Sequence, residues 1–193
     1  MPPSDISRPD PARPGYRAAR SLPGTTGDPA ARDRERIATH TGGQDWLVSW
    51  HPPDDPPLGR PHGAAGICVA DGDRLVLISG DGVHWGFPAG RPEPGERIEE
   101  TLRRELWEEA CVRVVSARML GFARSECVEG HELGLVLVRS YWRAEVDVLP
   151  WEPRFEIVHR WIVPAAQARE CVRDPDEAAT RVSMRAMVEA RLA

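Results

Sequence analysis

Three glutamates, Glu105, Glu108 and Glu109, crowd beside Arg104 in the stretch "WGFPAGRPEPGERIEETLRRELWEEACVRV", Trp85 to Val114. At about 100° per residue, Ile98, Leu102, Leu106 and Ala110 form one apolar helical band, and Glu105 and Glu109 run along its edge. Two carboxylates one turn apart, close to where a core begins, repel each other, and the cost grows as the local dielectric falls. A positive partner is therefore required. One solution is a solvated face laced with i,i+4 ion pairs: Glu99 to Arg103, Glu100 to Arg104 and Arg104 to Glu108 have the right signs, each contributing about 0.2–0.5 kcal/mol. That solution does not cover Glu105 and Glu109. The other is a divalent cation held by carboxylates.

The residues before the helix bear on that choice. "RPEPGE" carries Pro92, Pro94 and Gly95, so the chain makes a tight irregular loop and enters the helix with acids in its first turn. Such a loop can bring backbone carbonyls and glutamates to one hard-oxygen site, the ligand set that Mg²⁺ or Mn²⁺ prefers.

The stretch resembles the signature of the Nudix hydrolases, G-x5-E-x7-R-E-U-x-E-E-x-G-U, where U is a bulky aliphatic residue. Gly90, Glu96, Arg104, Glu105, Leu106, Glu108, Glu109 and Val112 fall on its fixed positions, and Cys111 stands where the family has glycine. The resemblance implies hydrolysis of a pyrophosphate bond in a nucleoside diphosphate joined to another group, dependent on Mg²⁺ or Mn²⁺. It implies Glu105 and Glu109 as principal metal ligands and Glu108 as a further ligand or a holder of metal-bound water. The Gly90 carbonyl would be an added oxygen, with Glu96 and Arg104 orienting this shell. The family often takes its general base from outside the signature, and Glu152 and Glu156 in "PWEPRFEIVHRW" are candidates, against the plain alternative of surface acids. The implied fold is a mixed β-sheet sandwiched between α-helices. At Cys111 the expectation is a helix end with ordinary dihedrals, because Val112 and Val114 can begin a strand directly and a cysteine near the core behaves as a small hydrophobe.

Positioning these residues requires a modest domain. The chain has 193 residues, 41% of them hydrophobic, and a net charge of −5, which suits a single core. Residues 1–44 are rich in Pro, Gly, Ala, Arg and Asp without apolar periodicity and read as a disordered tail, leaving 45–193 as the domain. Neither an export signal nor a membrane span is indicated. Cys68, Cys111, Cys127 and Cys171 are widely spaced and suit a reducing cytoplasm; Cys127 and His131 make half a zinc site with no second half in view. All 25 basic residues are arginines, and asparagine is absent too, so no Asn amide reads a purine and no Lys grips a phosphate. The arginines lie scattered among acids, without the basic stripe that nucleic-acid binding needs. A homodimer is compatible with these features.

"DWLVSW" reads as a leading strand, and "GAAGICVA" and "RLVLIS" flank Asp71, Gly72 and Asp73 as a hairpin. "VRVVSARMLGFARSE" and "ELGLVLVRSYWRAEV" read as strands joined around Gly130, and "FEIVHRWIV" as another. Asp174, Pro175 and Glu177 form a capping box that opens a C-terminal helix. Trp46, Trp50, Trp85, Trp142, Trp151 and Trp161 are either core residues or a base-stacking platform. No further motif names the substrate. A catalytically silent, ligand-sensing relative is the rival reading, and the intact acids of the signature weigh against it.

Overall fold

A computed structural model describes residues 35–192 of the chain. Eight strands, β1 (Arg36–Thr41), β2 (Gln44–His51), β3 (Arg60–Val69), β4 (Arg74–Ser79), β5 (Ala89–Gly90), β6 (Val112–Glu129), β7 (Val136–Val148) and β8 (His159–Pro164), form one sheet. Its order is β1-β2-β6-β7-β3-β4-β8, with β5 paired to β3 off this path. β3 and β7 run parallel and the other pairs antiparallel, so the sheet is mixed. Three helices complete the fold: α1 (Ile98–Ala110), α2 (Ala165–Cys171) and α3 (Glu177–Glu189).

The layers follow from alternation along the central strands. In β3, Ala65, Ile67 and Val69 belong to one core, with Ala168, Val182, Ala186 and Met187 of α2 and α3. Ala64 and Cys68 point the other way, into a second core with Leu102, Leu106 and Ala110 of α1. The apolar band read from the sequence is thus the face that α1 buries, and its fully buried leucines contribute about 1.5–3 kcal/mol each before entropy is counted. Gly66 sets how close α1 comes, since a Cβ there would lie 2.6 Å from Leu106 Cδ1. The expected sandwich of a mixed sheet between helices is the observed one.

Four local expectations are corrected. β1 lies inside the stretch 1–44 assigned to the tail: Gly42 (φ 60°) and Gly43 (φ 71°) form a two-residue turn that pairs Arg36–Thr41 with β2, a conformation open to consecutive glycines. The domain therefore begins by residue 36, and residues 1–34 lie outside the described part. The N-cap of α3 is Asp176, whose Oδ1 accepts from the Ala178 amide at 2.8 Å, while Asp174 accepts from the Asp176 amide in the preceding turn. Glu100 bonds back to Arg97 at the start of α1 instead of to Arg104. Cys111 has φ 49° and ψ 54°, the left-handed conformation, and its amide donates to the Leu106 and Trp107 carbonyls. Ordinary dihedrals would have left those last carbonyls without this partner.

Candidate active site

The loop between β5 and α1 and the outer turns of α1 converge on Arg104. Its Nε and Nη2 donate to the two oxygens of Glu96, each at 2.9 Å, and Nη2 also reaches the Arg91 carbonyl at 2.9 Å. Nη1 donates to Glu105 Oε1 at 2.8 Å and Glu108 Oε2 at 3.0 Å. One guanidinium thus engages three carboxylates, which only its planar five-donor fork permits. Glu96 is fixed further by the Thr101 hydroxyl and the Glu93 amide. The Arg104 hydrogen bonds hold its pKa down at about 2 and hold Arg104 itself firmly charged.

Glu105 is buried, 8% exposed, and its carboxylate lies against Gly90. A Cβ at Gly90 would fall 1.9 Å from Glu105 Cδ, so glycine is the only residue that leaves room. The Gly90 carbonyl oxygen lies against Gly63 of β3, so the residue's observed service to the site is its missing side chain. Glu109, one turn on, accepts from the Ala89 amide at 2.8 Å. β5 is thereby clamped to α1 by both acids.

Burial pushes Glu109 up to about 7, against the Ala89 hydrogen bond, and the charges of Glu105 and Glu156 push the same way. Burial also raises Glu105, opposed by Arg104. Among the described residues no three acidic, histidine or cysteine side chains are drawn together as a metal-ligand set, because Arg104 engages Glu105 and Glu108 while an amide engages Glu109. The donor chemistry nevertheless fits a hard divalent cation: Glu105, Glu108 and Glu109 offer carboxylate oxygens, and Glu109, pushed up by burial and by two neighbouring acids, is opposed among the described charges only by Arg139.

The two base candidates separate. Glu152 is exposed, pairs with Arg154 at 3.1 Å, and gives its carbonyl to Cys111 Sγ, which places it at the C-terminal end of α1. Glu156, in the segment between β7 and β8, acts electrostatically on Glu109. Of the tryptophans, Trp46 and Trp142 are core residues, whereas Trp161 is 36% exposed and packs on Trp85 at 5.3 Å between ring centres. Cys127 is buried and its thiol donates to Gln44 Oε1 at 3.5 Å, and among the described residues no group of three metal-ligating side chains includes it. Sequence reasoning passed over Arg139, whose charge reaches both Glu109 and His62. It sits in β7 beyond any motif, and only strand register brings it here.

Comparison with known proteins agrees with this geometry. The NUDIX domain family model matches residues 60–185. "Nucleoside triphosphatase NudI" of Escherichia coli K12 is 45% identical over 53 residues, 28% of this chain and 35% of that protein; the chain spans about a third of the length of the curated relatives it matches. The structure of a mutant of the Bacillus subtilis pyrophosphohydrolase BsRppH superposes with a TM-score of 0.57 at 24% identity, covering 80% of this chain and 97% of that one. A NUDIX hydrolase from Nitrosomonas europaea gives 0.52 at 21% identity, covering 68% and 89%. Among the described residues no helix is long and apolar enough to cross a membrane. A family model that spans most of the sheet, the signature helix and most of α3 leaves one conclusion: the chain belongs to the Nudix family.

Proposed function

We propose that the protein is a pyrophosphohydrolase that cleaves a pyrophosphate bond in a nucleoside diphosphate joined to another group, using Mg²⁺ or Mn²⁺. The observation that carries this reading is the packing of Glu105 against Gly90 with Glu109 one turn away, buried and burdened by two neighbouring acids. Glu105, Glu108 and Glu109 would hold the ion, which when bound neutralises phosphate oxygens and lowers the pKa of water. Arg104, tied to Glu96, fixes the orientation of Glu105 and Glu108. The Ala89 amide holds one oxygen of Glu109 and leaves the other available.

Hydrolysis adds a water oxygen to phosphorus, breaks the bridging P–O bond, and releases a proton. Glu156 would take that proton on a carboxylate oxygen, a role supported by its charge reaching Glu109. Four free cysteines suit a reducing cytoplasm. Phosphate release from a panel of nucleoside diphosphate derivatives, with Mg²⁺ or Mn²⁺ and with chelator, tests the proposal. Chelator-sensitive turnover is expected. A protein that binds Mn²⁺ normally and turns over no member of the panel would instead support the silent, ligand-sensing reading.

A further inference from the structure

The C-terminal end of α3 meets the sheet at a concavity of about 630 Å³, lined by Arg118 of β6, Arg143 of β7, Glu189 at the end of α3, and Ala190 and Arg191 just beyond it. Arg118 and Arg143 stand directly opposite each other in the antiparallel pairing of the two strands, an arrangement in which like charges repel. Arg191 adds a third guanidinium from a residue held at φ 59°. The corner lies at the other end of α3 from Asp176. Arg143 is also about 13 Å along β7 from Arg139, at the rise of a strand, which sets this corner apart from the carboxylates of α1.

Closing the helix end explains part of this arrangement. Arg143 Nη1 donates to the Ala190 carbonyl at 2.7 Å and Arg118 Nη2 to the Glu189 carbonyl at 3.3 Å, and the last turn of α3 has no basic residue of its own. One arginine is enough for that task elsewhere in the molecule, where Arg160 alone serves the carbonyls of Ala110, Cys111 and Leu149 at the end of α1. Of the nearby acids, Glu145 pairs with Arg143 at 2.8 Å and Glu189 with Arg185 at 2.5 Å. Among the described residues no carboxylate lies within salt-bridge distance of Arg118 or Arg191. A helix C-terminus supplies about half a negative charge, so against three guanidinium groups that end and Glu145 leave about one and a half positive charges unmet. The chain as a whole carries −5, so this local surplus runs against its general sign.

We infer that this corner binds a compact anion with several phosphate groups, at a site separate from the carboxylate cluster. The guanidinium groups reach it from two strands and from beyond the helix end, and such divergent directions suit the tetrahedral oxygens of phosphate better than one planar carboxylate. The volume lies within the ~300–1,000 Å³ of small-molecule sites. Charge on the ligand offsets the repulsion between Arg118 and Arg143. Arg191, whose side chain has no other partner among the described residues, supplies a complete fork of donors. The binding requires no hydrolytic activity of the protein.

Calorimetry in metal-free buffer, where phosphates cannot bind through a cation, tests this. The probes are tripolyphosphate, pyrophosphate, citrate and a single-stranded oligonucleotide without terminal phosphates. The parent protein is expected to bind tripolyphosphate most tightly of the four. Arg118→Gln and Arg191→Gln both leave the Arg143 cap on α3, and each is expected to weaken tripolyphosphate by at least ~10-fold, the scale of one charge-assisted hydrogen bond. Arg191→Gln, which removes no contact to another side chain, keeps the measurement possible if Arg118→Gln unfolds. Arg139→Gln is expected to leave the affinity unchanged. A parent that binds no tripolyphosphate, tighter binding of citrate or the oligonucleotide, or a loss that follows Arg139 instead of Arg118 and Arg191 would overturn the inference. A negative phosphate-release panel would overturn the hydrolytic reading and leave this one standing.

Discussion

Cys111 Sγ donates to the Glu152 carbonyl oxygen at 3.2 Å from a residue held in the left-handed conformation. A side chain in that conformation costs about 1–2 kcal/mol, and here the cost is offset by burial, since Cys111 is only 4% exposed. Two substitutions separate the terms. Cys111→Ala keeps the strain and loses the sulfur; Cys111→Gly loses the sulfur and the strain together. The glycine variant should melt above the alanine variant by about 1 kcal/mol of stability. If the alanine variant melts higher, the helix ends with ordinary dihedrals.

Glu109 contributes to the pH dependence of stability in the absence of added metal. Its folded-state pKa, about 7, lies above the ordinary carboxylate value, so the folded protein binds the proton more tightly than the unfolded one. That advantage is fully present below the ordinary value and is lost as pH rises toward 7. Glu109→Gln removes the ionisation while keeping an oxygen for the Ala89 amide. With chelator at pH 8 the variant should be more stable than the parent by about 1–3 kcal/mol, with little difference near pH 4. Urea titrations at the two pH values measure this, and a variant destabilised at pH 8 would contradict the assignment.

Arg160 closes the C-terminal end of α1 from outside the helix. The last turn of α1 has no basic residue of its own, and Arg160 Nη1 donates to the carbonyls of Ala110, Cys111 and Leu149 at 3.0, 3.1 and 3.0 Å. Trp151 lies 5.0 Å from its guanidinium carbon. Arg160→Met keeps most of the stem and removes the donors, so it should cost about 2–4 kcal/mol through carbonyls left without this partner at a negative helix end. A loss below ~0.5 kcal/mol in chemical denaturation would show that water replaces the arginine freely.

What could be read in advance divides by range. Ile98, Leu102, Leu106 and Ala110 declare α1 and its buried face because the helical repeat is local, and the fixed spacing from Gly90 to Glu109 declares the acids for the same reason. β1 was hidden because Ile37 is its only large apolar side chain and most of the strand is exposed at a sheet edge. The signal that existed was the Gly42–Gly43 pair. At α3 the spacing of Asp174 to Glu177 mimics a capping box, yet Asp176 sits one residue before the helix and takes the cap. Cys111 concerns a backbone angle, which residue type biases and tertiary packing decides. Arg139 and His62 come together through the pairing of β7 with β3, whose parallel register no local pattern specifies.

The packing of Gly90 on Glu105 gives the most direct test of how the site is built. A methyl group at Gly90 would sit 1.9 Å from both Cδ and Oε1 of Glu105, so Gly90→Ala must displace either the carboxylate or β5. A displacement near 1 Å is enough to cost about 100-fold in turnover. Loss of activity alone would not identify the contact, because β5 also holds Glu109 through Ala89. The stability coupling does. Gly90→Ala should destabilise the parent by about 1–3 kcal/mol through overpacking, and should cost measurably less in a Glu105→Ala background, where the colliding group is gone. A double-mutant cycle by denaturant unfolding reads the difference. Additive losses would mean that the methyl group meets something other than Glu105.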